Sequence, residues 1–185
     1  AISPAFYGGR KTLTISGTDK LCRQLDDSAK SVRENLVRGI VNAGKMVQGN
    51  AKALAPTETG NLQNRIFTKT EENDGIVRGT VYINEKYAPY VELGTGPKGA
   101  GNHTGISPNI TPFYTMSPWW IHESQIDKEL AEKYQWFSVD TKDGKFYQCT
   151  GQPAQPFLYP ALANNKDKIE NLIRTGVMKG VRDTL

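Results

Sequence analysis

The sequence predicts an α+β fold: an antiparallel β-sheet packed by a long N-terminal helix and a C-terminal helix, with an inserted loop and β-hairpin. Three observations predict it. Apolar residues recur in steps of three, four and seven from Leu21 to Leu54, which keeps them on one face of a 3.6-residue helix. Ile76–Ile83 is rich in β-branched residues and follows the turn Asn73-Asp74-Gly75, as the second strand of a hairpin does. Leu162, Ile169, Leu172, Ile173, Val177 and Val181 repeat the helical spacing over Ala161–Val181.

The elements follow in order. Residues 1–17 mix Gly, Pro, Ser and Thr and read as an N-terminal arm with one short strand, Thr12–Ile15. Thr18 is placed as the N-cap of the long helix, with Asp19 in the first turn, where the helix dipole favours a negative charge. The stripe Leu21, Leu25, Val32, Leu36, Ile40, Ala43, Val47, Ala51 and Leu54 faces the sheet. Pro56 ends the helix, because its ring disfavours helical geometry at Ala55. Gly39, Gly44 and Gly49 each weaken it by about 1 kcal/mol relative to Ala, so they mark close packing or a bend. The loop Pro56–Gly60 leads to a strand over Leu62–Thr70, paired with Ile76–Ile83. Tyr87–Leu93 is a short apolar segment closed by Gly94-Thr95-Gly96. From Pro97 to Pro118 glycine and proline dominate, which predicts a loop without regular structure. Trp136–Thr141 and Lys145–Cys149 flank the turn Asp143-Gly144 as a hairpin. Gln152–Pro160, with three prolines, is extended and leads into the last helix. The organisation is an arm over 1–17 and a single domain over 18–185, with an insertion at about 97–151.

Composition narrows the function. The chain has 185 residues, 23 Lys+Arg against 19 Asp+Glu, and a net charge of +4. Its pI is about 9.0 and its mean hydropathy −0.53. That charge density is far below that of a dedicated nucleic-acid binder. No run approaches the roughly 18 apolar residues of a membrane span, and residues 1–17 contain no apolar stretch like that of an export signal. Two cysteines, Cys22 and Cys149, exclude a disulfide framework and a four-thiolate metal site. Synthesis in a reducing cytoplasm is the expectation.

Motifs that resemble catalytic ones fail on context. Gly94-Thr95-Gly96-Pro97-Lys98-Gly99 fits G-x-G-x-x-G, but no helix is expected to open there to face a pyrophosphate. His122-Glu123 lacks a histidine four residues on, where Ile126 stands. His103 and His122 have no ligand-pair spacing with each other or with the cysteines. Ser107 and Ser117 both precede proline and lie in no nucleophile turn. Glu92, between Val91 and Leu93, is the one carboxylate in an apolar segment. A general base needs a partner in reach, so Glu92 is expected to cap backbone N–H groups of the following glycine turn or to pair with a basic residue. No catalytic residue, cofactor or metal is expected. Arg23, Lys30, Arg38, Lys45 and Lys52 form a basic strip opposite the apolar stripe of the helix, shared at its N-terminal end by Asp27 and Glu34; a solvated face is the expectation, and an acidic partner surface or passing DNA is the alternative. Trp119, Trp120 and Trp136, with Tyr134, Phe137, Phe146 and Tyr147, are expected to fill the core of the inserted hairpin. A base-stacking surface in a basic nucleic-acid-binding module is the alternative.

Three segments then align with a known family. Ala55-Pro56-Thr57-Glu58-Thr59-Gly60-Asn61-Leu62 follows the long helix. Tyr87-Ala88-Pro89-Tyr90-Val91-Glu92-Leu93-Gly94-Thr95 follows the strand pair. Gln155-Pro156-Phe157-Leu158-Tyr159-Pro160-Ala161-Leu162 precedes the last helix. In this order they resemble the tail-component, or tail-completion and neck, family of long-tailed phages, over about residues 19–96 and 152–183. The chain departs from the family at Gln63-Asn64-Arg65-Ile66, where the usual Ser is absent, and in the 97–151 insertion, where many members have a shorter connection. The resemblance implies a non-enzymatic virion protein at the head–tail junction. It implies a ring of copies of itself, hexamer or dodecamer, in contact with neck and tail proteins and with no membrane. It assigns scaffold roles to Pro56, Thr59, Gly60, Leu62, Tyr87, Ala88, Val91, Glu92, Gly94, Thr95, Pro156, Phe157, Leu158, Pro160 and Ala161. Arg38, Lys45 and Lys52 would then face DNA in the channel or an acidic neighbour. The variant carrying Lys45→Glu and Lys52→Glu is expected to impair assembly or DNA passage; normal infectivity of phage carrying it would discard that role.

Overall fold

The computed structural model describes residues 2–7, 10–15, 17–57, 60–126, 131 and 135–183. In chain order the elements are β1 (Ile2–Tyr7), β2 (Arg10–Ile15), α1 (Thr18–Leu54), α2 (Asn61–Asn64), β3 (Ile66–Asn73), β4 (Ile76–Ile83), α3 (Ala88–Leu93), α4 (Gly96–Gly101), β5 (Trp119–His122), a 3-10 turn at Glu123–Gln125, β6 (Ser138–Thr141), β7 (Gly144–Cys149), α5 (Leu158–Ala163) and α6 (Lys166–Arg182). The fold is α+β, with small antiparallel sheets β1-β2, β3-β4 and β5-β7-β6. Contacts group the residues into two compact units. One is Ala1–Met46, Thr68–Thr80 and Lys166–Leu185; the other is Val47–Phe67 and Val81–Asn165.

In the first unit the arm holds a hairpin rather than one strand, with Ile2 opposite Ile15 and Tyr7 opposite Arg10. Helix α1 begins at Thr18 itself, so Thr18 is its first residue and not its N-cap. Its stripe is half-buried or buried from Val32 to Ala51, but Leu21 and Leu25 are 56% and 61% exposed, and Leu54 at the far end is 51% exposed. Glycine governs what packs on α1. A Cβ on Gly176 would stand 2.6 Å from the Asn35 carbonyl oxygen, and one on Gly180 would stand 2.6 Å from Val32 Cα. One on Gly39 would lie 3.2 Å from Ile173 Cα. The backbones of α1 and α6 therefore meet with no side chain between them. The β3–β4 hairpin uses the same device: Gly44 lies under Thr68, and Gly79 lies under Ile40. Thr68 Oγ1 is buried there without a hydrogen-bond partner among the described residues. Arg33 pairs with Glu72 at 2.6 Å.

The second unit has a core of small and apolar residues: Val47, Ala51, Ala55, Leu62, Ile66, Ala88, Phe157 and Ala161 are all buried. The expected strand over Leu62–Thr70 begins only at Ile66, because Asn61–Asn64 forms one helical turn after Gly60 takes a left-handed φ of 68°. Gln63 explains that turn. Its Nε2 donates to the carbonyls of Lys52 (2.9 Å) and Ala55 (3.3 Å), satisfying acceptors that the end of α1 leaves open. Tyr87–Leu93 is largely helical, since Pro89 sits in the first turn, where its missing N–H costs nothing. The segment after Gly94, expected to be irregular, opens as α4, held by Lys98 N–H donating to Thr150 O. The inserted hairpin gains a third strand: Trp119 stands opposite Cys149, and Ser138 opposite Tyr147. The C-terminal helix is two helices, interrupted at Asn164-Asn165, where Asn165 Nδ2 donates to Ala161 O. Asparagine favours such local capping over helix continuation.

Gly176→Val is expected to destabilise the protein by about 1–3 kcal/mol through overpacking, read by urea unfolding. Gly49 has nothing within 4 Å of its missing Cβ. Gly49→Ala is therefore expected to stabilise the protein by up to about 1 kcal/mol.

Candidate functional site

The family-like segments of the second unit converge on one carboxylate. Glu92, near the end of α3, accepts three main-chain N–H bonds: from Phe157 (2.7 Å) and Leu158 (3.0 Å) at Oε2, and from Tyr159 (2.9 Å) at Oε1. The following residue, Pro160, has no N–H to satisfy. All four positions at the start of α5 are thus accounted for, three by bonded donors and one by a residue with none. The expectation of a backbone cap was right in kind, but the segment capped is 157–159 and not the glycine turn. Phe157, next to the cap, is fully buried.

Further main-chain bonds tie the same two stretches together. Gln155 N–H donates to Val91 O at 2.8 Å, and Ala154 N–H to Asn102 O at 2.9 Å. Thr95 and Gln152 exchange a reciprocal pair at 2.9 and 3.1 Å. Gln152 Nε2 also donates to Tyr90 O. This approach requires Gly94 and Gly151, both at positive φ: a Cβ on Gly94 would meet Ala154 N at 2.7 Å, and one on Gly151 would meet the Thr95 carbonyl. Tyr114 closes the site by donating its hydroxyl to Leu93 O at 2.7 Å. Burial pushes the Tyr114 phenol up from its ordinary value of 10.0.

The other described motif residues lie in the same unit. Ala88, Gly94, Phe157 and Ala161 are buried, as is Leu62; Pro56, Gly60, Val91, Thr95, Pro156, Leu158 and Pro160 are half-buried, and Tyr87 is exposed. Thr59 and Tyr134 lie outside the described residues. The clamp's bonds were missed in the sequence because nothing local pairs Glu92 with a segment 65 residues on. Both histidines close turns. His103 Nδ1–H faces the Gly99 and Ala100 carbonyls, and His122 Nε2–H donates to Asp143 O. Among the described residues no group of three or more His, Cys, Asp or Glu is arranged to hold a metal ion. Of the tryptophans, Trp120 is exposed and meets the exposed Phe137, so the aromatics fill the insert's core only in part. Arg38 and Lys45 are exposed in the first unit, and Lys52 is half-buried in the second. A groove of about 780 Å³ borders the clamp, between Tyr90 and Leu93 on one side and Phe113 and Trp119 on the other.

Residues 19–94 match a family model of HK97-gp10-like proteins, described as "Bacteriophage HK97-gp10, putative tail-component". The match covers 76 of the 185 residues and is a likeness of that stretch. The HK97 gp10-like stretch takes in α1 through α3 and ends just past Glu92, so the capped partner segment lies beyond it. The match supports a structural protein of the phage tail, and so of the virion. No curated protein and no solved structure matches the chain. Among the described residues no helix is long and apolar enough to cross a membrane.

Glu92→Ala leaves three donors without their acceptor and is expected to cost about 3 kcal/mol. Glu92→Gln is expected to lose less, since the amide oxygen still accepts; chemical unfolding of both variants checks this. Tyr114 holds its proton more tightly folded than unfolded. Its contribution is therefore complete below pH about 10 and is lost as pH rises through the folded-state value. Tyr114→Phe is expected to remove that part of the alkaline loss of stability.

Proposed function

We propose that this chain is a ring subunit of the phage neck, completing the tail end or joining the tail to the head. The HK97 gp10-like stretch supports the tail assignment. The observation that supports an assembly subunit is how much apolar surface is left open on otherwise well-fixed elements. Phe113 is 99% exposed, and Met116, Phe137, Tyr90, Leu21 and Leu25 are each more than half exposed. Exposed apolar groups on this scale mark surfaces that another protein covers. Glu92, the carboxylate best placed for chemistry by sequence, is committed to main-chain N–H groups, which suits a scaffold. In this reading the motif residues Pro56, Gly60, Leu62, Ala88, Gly94, Thr95, Phe157 and Ala161 hold the subunit's frame. The insertion and the N-terminal arm are the parts that reach neighbouring subunits and the proteins above and below. The exposed Arg38 and Lys45 face an acidic neighbour or the DNA passing through.

A stop codon in the gene, followed by electron microscopy of the lysate, tests this. Filled heads separate from tails, or tails with abnormal ends, are the expected outcome, and the side of the defect identifies what the protein completes. Normally joined particles would overturn the neck assignment.

A further inference from the structure

We propose that a groove between α1 and α6 in the first unit receives the β3–β4 turn, residues 71–76, of a second copy of this chain. The inference rests on the ring-subunit reading and names the contact that would build the ring. The groove is about 560 Å³, and three cations line it: Arg38 from α1, and Lys168 and Lys179 from α6. Among the described residues no carboxylate does. Among the described residues none of the three has an ion-pair partner, while Arg33 and Arg174 on the same two helices are paired with Glu72 and Glu170. The floor is apolar, made by Met46 and Leu172 and by the helix backbone laid bare at Gly39 and Gly176. Unneutralised positive charge above an apolar floor suits a segment that offers carboxylates and an apolar side chain together. A nucleic-acid backbone would gain nothing from the floor.

The β3–β4 turn is such a segment. Residues 70–77 contain Glu71, Glu72 and Asp74 and no cation. Asp74 stands exposed at the tip, and Ile76 is 64% exposed. Glu71 pairs with Lys69 at 2.6 Å, but both side chains are largely in solvent, where such a pair contributes little and exchanges readily. Groove and turn are different patches of one unit. A reciprocal pairing of the two would close a two-fold dimer; in the ring-subunit reading the pairing is head-to-tail, and each added copy leaves one groove and one turn free until a ring closes.

Charge reversal in the full chain tests the contact, with native mass spectrometry reading the number of subunits. Arg38→Glu with Lys179→Glu empties the groove of charge complementarity, and Glu71→Lys with Asp74→Lys does so for the turn. All four residues are exposed, and circular dichroism checks that each variant folds. Each pair is expected to weaken self-association at least ten-fold, a loss of about 1.4 kcal/mol, and the four substitutions together are expected to restore it. The proposal is overturned if either pair leaves association unchanged, if the fourfold variant stays dissociated, or if the wild-type chain is monomeric. It is also overturned if a short DNA duplex binds the wild-type chain and the groove variant alone loses it. A chain that ignores these charges yet is required for joined particles would discard this contact and leave the neck reading standing.

Discussion

One carboxylate holds the second unit together. A helix of six residues does not form on its own, because nucleation fixes several residues for a single hydrogen bond. Helix α5 exists because Glu92 meets its first three N–H groups and Pro160 withdraws the fourth. With α5 set, Phe157 and Ala161 are carried into the core at full burial. Without the cap those side chains would have to be buried beside unsatisfied donors, which costs more than their burial returns. The extended chain before α5 is placed by the same event, since Ala154 and Gln155 reach main-chain acceptors only when residues 157–159 are anchored.

In the first unit the corresponding constraint is steric rather than polar. Glycines let α6 come to backbone contact with α1, and they make room for the Thr68 and Ile40 side chains between α1 and the β3–β4 hairpin. Close approach brings many weak dispersion contacts into range at once. It also leaves α1 and α6 sharing a shallow channel lined by whatever their flanking residues carry, and here these are cations and amides.

Long-period features were legible in the sequence. Helix α1 was read over its full length, because a 37-residue amphipathic pattern ended by Pro56 admits no other element. The β3–β4 turn was readable from Asn73-Asp74-Gly75. What escaped was structure set by distant partners. Residues 96–101, rich in glycine, have no intrinsic helical preference and are helical because Thr150 and the residues after it are near. Strand β5 finds its partner far along the chain, from Phe146 opposite His122 to Cys149 opposite Trp119, and no local pattern announces that. The break between α5 and α6 was hidden because Asn164 and Asn165 interrupt the chain without disturbing the apolar spacing. For the site, the importance of Glu92 was visible as a carboxylate in apolar company, but its partner was not. The roles of Gly39 and Gly44 as contact points could be distinguished from that of Gly49 only in three dimensions.

The reciprocal bonds between Thr95 and Gln152 have a consequence for how the chain can vary. They bring the two ends of the inserted stretch side by side, so the scaffold sees the insertion as a closed loop tied at its neck. Loop closure costs only about 0.6 kcal/mol for each doubling of length. Tyr114 and Trp119 are the side chains that lean back across the neck; most of what lies between is free to lengthen, shorten or be exchanged. A frame tied this way can change what it presents at its surface while its own packing stays the same.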